Sequence, residues 1–125
     1  EVYHSQKMPI HVGGAVLVDG QMYGTTRSAF LSVAYETGEI TWTDKSVGPA
    51  TVGYADGRLY LVGDEGDIAL VEPSTEAYKE VGRFRPPGRL EKSVSWTYPV
   101  VANGRMYIRN LDKMWCYDVS APKGL

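Results

Sequence analysis

The chain has 125 residues, and its 13 Lys and Arg stand against 15 Asp and Glu, which gives a formal net charge of −2. This balance provides no electrostatic basis for binding nucleic acid, which favours strongly basic domains. No apolar run reaches the roughly 18 residues that a membrane-spanning helix needs, so no membrane span is expected. The single cysteine, Cys116, cannot form a disulfide within the chain, and its apolar neighbours predict a buried small hydrophobic residue.

One five-residue pattern occurs three times, at residues 19–23, 56–60 and 103–107, each beginning with Asp-Gly or Asn-Gly and ending with Tyr. Such a pair supplies the two positive φ angles that a type I′ hairpin turn requires, and the residues after it alternate as in a strand. Each copy therefore predicts the same β-hairpin. The intervals between the copies lie in or near the range of four-stranded propeller blades and well above that of leucine-rich repeats.

The predicted strands fall into three units in chain order. The first unit has strands at residues 14–18, 22–25, 30–35 and 39–43; the second at 51–54, 59–62, 68–72 and 81–84; and the third at 99–102, 106–109 and 114–118. The third unit has no fourth strand. The sequence thus predicts an all-β chain of three antiparallel four-stranded meanders, the last one incomplete.

Several of these strands are apolar at consecutive positions, as at residues 15–18, 59–62 and 106–108. Such strands need cover on both faces, which a propeller provides by stacking each sheet between two others. We therefore predict one blade at residues 9–45, a second at 46–85 and an incomplete third at 94–125.

Three blades do not make a ring, because closed propellers have about 4–8 blades, and two apolar blade faces would then be left bare. We therefore expect either a part of a longer propeller or a subunit that associates with itself, most simply a dimer that completes a ring. The short alternating stretch at residues 1–5 indicates a strand that belongs to a preceding blade or to a partner's blade. In a second copy it is predicted to pair with residues 114–118.

Residues 32–42 resemble the Ala-x-Asp-x-x-Thr-Gly-Lys-x-x-Trp signature of pyrroloquinoline-quinone (PQQ)-type propeller repeats. Thr37, Gly38 and Trp42 match the signature, whereas Ser32 replaces its Ala and Ala34 replaces its Asp. With the repeated turns, the resemblance covers essentially the whole chain.

The resemblance implies structural roles in blade docking for four residues. The Thr37-Gly38 turn joins the third strand to the fourth, and Trp42 is expected to pack between adjacent blades. In the third unit Asp118 keeps the Asp of the signature, where it would accept hydrogen bonds from backbone donors near the turn. None of these roles involves catalysis.

The family of PQQ-type propellers that this sequence resembles contains two functional classes. Quinoprotein dehydrogenases hold PQQ and Ca²⁺ at the centre of the ring and carry a disulfide of adjacent cysteines, which one cysteine precludes within this chain. Others keep the propeller without that site, as does the propeller lipoprotein of the outer-membrane barrel-assembly machinery, and they bind partners. The resemblance implies a non-enzymatic binding or scaffold segment, periplasmic or secreted, that carries no cofactor, metal site or catalytic residue of its own. The alternative is a fragment of a PQQ-dependent quinoprotein oxidoreductase, in which PQQ and Ca²⁺ would be bound.

A basic and aromatic segment is the candidate surface for a protein partner. It contains Arg83, Arg85, Arg89, Trp96 and Tyr98. Arginine and aromatic side chains carry much of the binding energy of protein interfaces. A solvated loop, balanced by neighbouring glutamates, remains the alternative for this segment.

The acidic stretch at residues 64–67 has two interpretations. It lacks the ligand spacing of an EF-hand calcium loop and lies between two predicted strands, so a tight hairpin is favoured over a Ca²⁺ site. His4 and His11 have no third histidine, cysteine or suitably spaced carboxylate with which to hold a metal ion.

Overall fold

The computed structural model describes residues 2–11, 14–88 and 96–121. These residues form eleven β-strands and no α-helix. The strands are β1 (Ala15–Val18), β2 (Gln21–Thr25), β3 (Phe30–Ala34), β4 (Ile40–Asp44), β5 (Ala50–Ala55), β6 (Arg58–Gly63), β7 (Ile68–Glu72), β8 (Lys79–Phe84), β9 (Val100–Ala102), β10 (Arg105–Asn110) and β11 (Lys113–Asp118). Within the described residues there is no helix long and apolar enough to cross a membrane.

The strands make three antiparallel sheets, in the orders β1-β2-β3-β4, β5-β6-β7-β8 and β9-β10-β11. Each strand pairs with its neighbours in sequence, so every sheet is a meander. We call the sheets blade one, blade two and blade three. The predicted all-β class and the three-stranded third blade are confirmed, and the strand boundaries lie within two residues of the prediction.

The three repeated turns join the first two strands of each blade. Their two central residues have positive φ in every copy: 47° and 79° at Asp19 and Gly20, 49° and 74° at Asp56 and Gly57, and 52° and 72° at Asn103 and Gly104. The flanking residues pair directly across each turn, so each loop contains two residues. The predicted hairpins are therefore confirmed, with the φ angles that type I′ turns require.

Strand alternation gives each blade two faces, and the blades stack through them in chain order. We call the face toward the next blade the forward face and the face toward the preceding blade the rear face. The forward face of blade one packs on the rear face of blade two in one apolar cluster, formed mainly by Val18, Tyr23, Phe30, Val52, Leu59, Leu61, Ala69 and Val71. The forward face of blade two packs on the rear face of blade three in a second cluster, formed by Tyr60, Val62, Ile68, Met106 and Ile108.

The rear face of blade one is covered by the chain itself, although the sequence predicted it bare. On this face Leu31 and Val33 are buried. The N-terminal segment, residues 2–11, lies against the same blade: the Pro9 side chain is fully buried, and a Cβ added to Gly24 would lie 2.4 Å from the Pro9 carbonyl oxygen. The cover is partial, since Leu17 on β1 remains 55% exposed.

No sheet in the described part of the chain packs on the forward face of blade three. Val100 on β9 is 57% exposed and Met114 on β11 is 68% exposed. Cys116 lies on this face and is exposed, so the prediction of a buried cysteine is wrong. The prediction rested on the apolar neighbours of Cys116. Strand alternation, however, places Trp115 and Tyr117 on the face toward blade two and Cys116 on the opposite face.

Candidate functional site: the open side of blade three

Of the four residues predicted to dock the blades, Trp42 makes contacts at the junction of blades one and two. Trp42 on β4 donates a hydrogen bond from Nε1 to the Ser74 carbonyl oxygen in the β7–β8 loop, at 2.7 Å. Its ring packs edge-on against Phe30 and Tyr78, with centroid separations of 5.4 and 5.9 Å. Since Ser74 and Tyr78 belong to blade two, the Trp42 side chain bridges two blades.

Thr37 and Gly38 form the turn between β3 and β4. The Thr37 Oγ1 accepts a hydrogen bond from the Glu39 backbone nitrogen at 3.3 Å, and the Gly38 nitrogen donates to the Ala34 carbonyl oxygen at 2.8 Å. Gly38 has a φ of 75°, and an added Cβ would lie 2.6 Å from the Tyr3 ring. Glycine is therefore required both by the turn and by the N-terminal segment.

Asp118 ends β11 and organises the residues after it. Its Oδ1 accepts hydrogen bonds from the backbone nitrogen of Ser120, at 2.9 Å, and from the Ser120 hydroxyl. These bonds stabilise the carboxylate and hold the pKa of Asp118 below its ordinary value. The side chain therefore stabilises local backbone structure at the end of the blade.

Two arginines of the predicted interaction surface, Arg83 and Arg85, are engaged with carboxylates of blade two. Arg83 on β8 pairs with Glu80 at 2.7 Å, and Arg85 pairs with Asp67 at 2.8 Å. The Arg83 guanidinium lowers the pKa of the Glu80 carboxyl. The two arginines thus belong to a surface network along the outer strand of blade two.

The remaining residues of that predicted surface lie further along the chain. Trp96 and Tyr98 precede β9 and are 61% and 47% exposed. Arg89 lies outside the described residues. An interaction role for this surface stays a prediction.

The segment after β8 is anchored on blade three through residues that the sequence did not single out. Trp115 donates from Nε1 to the Pro87 carbonyl oxygen at 3.0 Å, and the Lys113 amino group donates to the Gly88 carbonyl oxygen. Phe84 packs edge-on against Tyr117 with a centroid separation of 4.7 Å. The alternation of large aromatic residues in β11 was the signal that this strand face is covered.

One edge of β11 pairs with β10, and the other edge carries a row of backbone groups that point away from β10. Asn110 and Lys113 flank a two-residue turn and therefore form a hydrogen-bonded pair. Because such pairs alternate along an antiparallel ladder, the backbone groups of Met114, Cys116 and Asp118 point away from β10. In blades one and two the equivalent strands, β3 and β7, pair at this edge with β4 and β8. Among the described strands none pairs with the open edge of β11.

The forward face beside this edge continues the pattern of the two blade junctions. The tyrosine of the repeated turn motif lies on the forward face of every blade, because Tyr23, Tyr60 and Tyr107 occupy the same register position. Tyr23 and Tyr60 are buried against the next blade, whereas Tyr107 is half-buried on the open face. The open side of blade three therefore offers both a strand edge and a face on which Tyr107 and Met114 lie beside Arg105 and Arg109.

Clusters of charged side chains outside blade three lie at loops between strands. The acidic stretch at residues 64–67 is a tight hairpin, closed by the Gly63 nitrogen on the Asp67 carbonyl oxygen at 2.8 Å, as predicted. Across the described ranges no three His, Cys, Asp or Glu side chains are grouped so as to hold a metal ion. A cleft of about 380 Å³ beside this hairpin is lined by side chains of both charges, including Arg27, Lys45 and Glu65.

Neither a protein-family model nor a curated protein sequence matches the chain. Solved structures do match its fold. A quinohemoprotein alcohol dehydrogenase from Pseudomonas putida HK5 superposes with a TM-score of 0.67 over 84% of this chain, at 17% identity. A europium-containing methanol dehydrogenase superposes with a TM-score of 0.62 over 86% of this chain, at 14% identity. The chain is part of a β-propeller.

The matched regions make up 18% and 22% of the two dehydrogenase chains, so this chain spans about a fifth of their length. The resemblance to PQQ-type propeller repeats, drawn from Thr37, Gly38 and Trp42, is confirmed at the level of the fold. At these identities the likeness concerns the stacking of four-stranded blades alone.

Proposed function

We propose that this partial propeller is a non-enzymatic binding or scaffold module, which binds a protein partner by accepting an extended strand along β11. One observation carries the proposal: β11 stands where β3 and β7 stand in the other blades, yet its outer edge pairs with no described strand. Addition of a strand to a sheet edge is a common way for a protein to bind a peptide segment.

The alternation of side chains in β11 supports selectivity for such a strand. Main-chain hydrogen bonds to Met114, Cys116 and Asp118 would provide affinity. The side chains of the incoming strand would lie in turn beside Met114 and Cys116 on the forward face and beside Trp115 on the rear face. A strand with a large apolar residue opposite Cys116 fits best, because Trp42 holds the corresponding position opposite Ser32 in blade one.

The resemblance to PQQ-type repeats supports a periplasmic or secreted location for this function. It also supports a role without a bound cofactor, since the roles that it implies for the matching residues are structural. The partner is therefore proposed to be a protein, with the segment around Trp96 and Tyr98 as a second region of contact.

Two synthetic peptides test the proposal, one with the sequence of residues 39–45 and the other with that of residues 78–85, the two fourth strands of this chain. Fluorescence anisotropy of the labelled peptides should show saturable binding to the full chain. Met114→Pro should weaken that binding at least about tenfold, because proline removes an outward N–H that β10 does not use. Absence of binding by both peptides, or equal binding to Met114→Pro, would contradict the proposal.

The alternative function is that of a fragment of a PQQ-dependent oxidoreductase. It is favoured by the two dehydrogenases whose folds match this chain. Addition of PQQ with Ca²⁺ should change the tryptophan fluorescence of the chain under this alternative and leave it unchanged under the scaffold proposal.

A further inference from the structure

The junction of blades one and two carries a charged cleft at one end of the two sheets. Three connections of the chain border it: the β2–β3 turn, the β4–β5 loop and the β6–β7 turn. Its volume of about 380 Å³ lies in the range of sites that hold small molecules. The residues that line it lie in the interior of the chain, between positions 27 and 83, and both of its blades have all four strands.

The walls of the cleft are fixed by backbone contacts. The Asp64 nitrogen donates to the Pro49 carbonyl oxygen at 2.9 Å, which ties the β6–β7 turn to the β4–β5 loop. Gly63 lies so close to this loop that an added Cβ would come 2.8 Å from the Val47 carbonyl oxygen. The cleft is therefore preformed, and a ligand would lose little binding energy to rearrangement of the protein.

The charged side chains of the cleft include some that have no partner within the protein. Arg83 is held by the Glu80 carboxylate at 2.7 Å. Arg27, Lys45 and Glu65, by contrast, form no ion pair and no side-chain hydrogen bond with any residue that the structure describes. All three are exposed. Two cationic groups and the Glu65 carboxylate thus line one cleft without neutralising each other.

The cations and the carboxylate come from different blades. Arg27 lies in the β2–β3 turn of blade one, and Lys45 directly follows β4, the last strand of that blade, whereas Glu65 lies in the β6–β7 turn of blade two. Cationic side chains bind the carboxylate of a ligand through charge-assisted hydrogen bonds, and a carboxylate side chain accepts such bonds from an ammonium group. The arrangement therefore matches a ligand with a carboxylate at one end and an ammonium group at the other.

We propose that this cleft binds a small zwitterion of the amino-acid class, with a dipeptide as the best fit. Its carboxylate lies beside Arg27 and Lys45, and its ammonium group lies beside Glu65. A dipeptide separates these two charges by roughly 7 Å, the extended length of two residues, which suits protein charges that do not pair with each other. Among the described lining residues only Val47 and Pro49 have apolar side chains, so the cleft favours small side chains on the ligand.

Titration of the isotope-labelled full chain with alanyl-alanine, followed by nuclear magnetic resonance, tests the proposal. The backbone amide signals of Ser28, Gly48 and Glu65 should shift along saturable curves. The amide signal of Glu76 should not, because the β7–β8 loop lies at the opposite end of the blades. N-acetyl-alanyl-alanine lacks the ammonium group and alanyl-alanine amide lacks the carboxylate. Each of these blocked forms should bind at least about threefold more weakly than the free dipeptide.

Two substitutions test the protein side of the contact. Lys45→Gln and Glu65→Gln should each weaken binding of the free dipeptide at least about threefold. Glu65→Gln should leave binding of the acetylated form unchanged, because that form has no ammonium group for Glu65 to bind. Lys79→Gln and Glu76→Gln are the matched controls, since they remove the same charges from exposed positions at the other end of the blades. Both should bind the dipeptide as the unmodified chain does.

The proposal is overturned if the amides around the cleft do not shift, or if the blocked forms bind as well as the free dipeptide. It is also overturned if Lys79→Gln and Glu76→Gln weaken binding as much as Lys45→Gln and Glu65→Gln do. Met114→Pro should bind the dipeptide normally, because the cleft lies on blades one and two. Loss of dipeptide binding and loss of strand binding at β11 are therefore separate results.

Discussion

The carbonyl oxygen of Ser74 accepts a hydrogen bond from the Trp42 indole at 2.7 Å. The same oxygen accepts a longer bond, at 3.3 Å, from the Tyr23 hydroxyl. Two strands of blade one, β2 and β4, thus converge on a single backbone atom of the β7–β8 loop. This arrangement fixes the β7–β8 loop of blade two against blade one through a polar contact at the rim of an apolar junction.

Trp42→Phe should therefore destabilise the chain. The substitution removes one hydrogen bond and part of the aromatic contact with Tyr78, and we expect a loss of about 1–3 kcal/mol in the free energy of unfolding. Urea denaturation measures it. Trp96→Phe is the control, because that side chain is exposed, and its effect should stay within about 0.5 kcal/mol. Equal effects of the two substitutions would mean that Trp42 does not stabilise the junction.

Thr25 makes a second polar contact across the same junction. Its buried hydroxyl donates to the Ala50 carbonyl oxygen at 2.9 Å and accepts from the Ala50 nitrogen at 3.2 Å. Thr25→Val keeps the shape of the side chain but leaves both Ala50 groups without this partner, so we expect a loss of about 1–3 kcal/mol. Thr25→Ser keeps the hydroxyl and should cost less. Thermal unfolding of the two variants measures the difference. If the serine variant is no more stable than the valine variant, the hydroxyl of Thr25 does not stabilise the junction.

The hairpins and blades could be predicted because their determinants are local. An Asn-Gly pair such as Asn103-Gly104 favours one kind of turn, and the alternation that follows assigns each residue to a face. The same logic predicted the three strands of blade three, the last of which ends at Asp118. The stacking of blades followed from strands such as β6, which is apolar at consecutive positions.

Other features could not be predicted because they depend on which faces meet. Tyr3 contacts Gly38 across the turn between β3 and β4, and no periodicity in the sequence records this contact. The apolar neighbours of Cys116 indicated burial, but they do not state which side of β11 receives a blade. Trp115 was likewise overlooked, because its partner is the carbonyl oxygen of Pro87 and a backbone atom has no sequence signature.

The repeated turns provide a test of backbone conformation alone. Gly57 has a φ of 74°, and an added Cβ would meet no atom within 4 Å. Gly57→Ala should therefore cost about 1–2 kcal/mol through the left-handed conformation and not through a clash. Gly82→Ala, at a strand position with no positive φ, is the control and should lie well below this value. A neutral Gly57→Ala, measured by urea denaturation, would indicate that the turn relaxes to another type.

The phenol of Tyr78 links Ser46, in the loop between blades one and two, to Glu80 of blade two. This contact should make the free energy of unfolding depend on pH in the alkaline range. The phenol oxygen lies 2.7 Å from the Ser46 hydroxyl and donates to a Glu80 carboxylate oxygen at 2.6 Å. Since the phenol has one proton and gives it to Glu80, Ser46 is the donor in the other bond. Burial, together with the bond to Glu80, raises the pKa of Tyr78 from 10.0 to about 12.

A pKa that is higher in the folded state stabilises the fold below the unfolded value and ceases to do so as the pH rises through the folded value. The stabilising effect of Tyr78 should therefore be complete below about pH 10 and disappear between about pH 10 and pH 12. The free energy of unfolding of the unmodified chain, minus that of Tyr78→Phe, should decrease across this window, and guanidinium denaturation at several pH values measures the difference. A difference that stays constant from neutral to strongly alkaline pH would show that the phenol is not held protonated by burial and by Glu80.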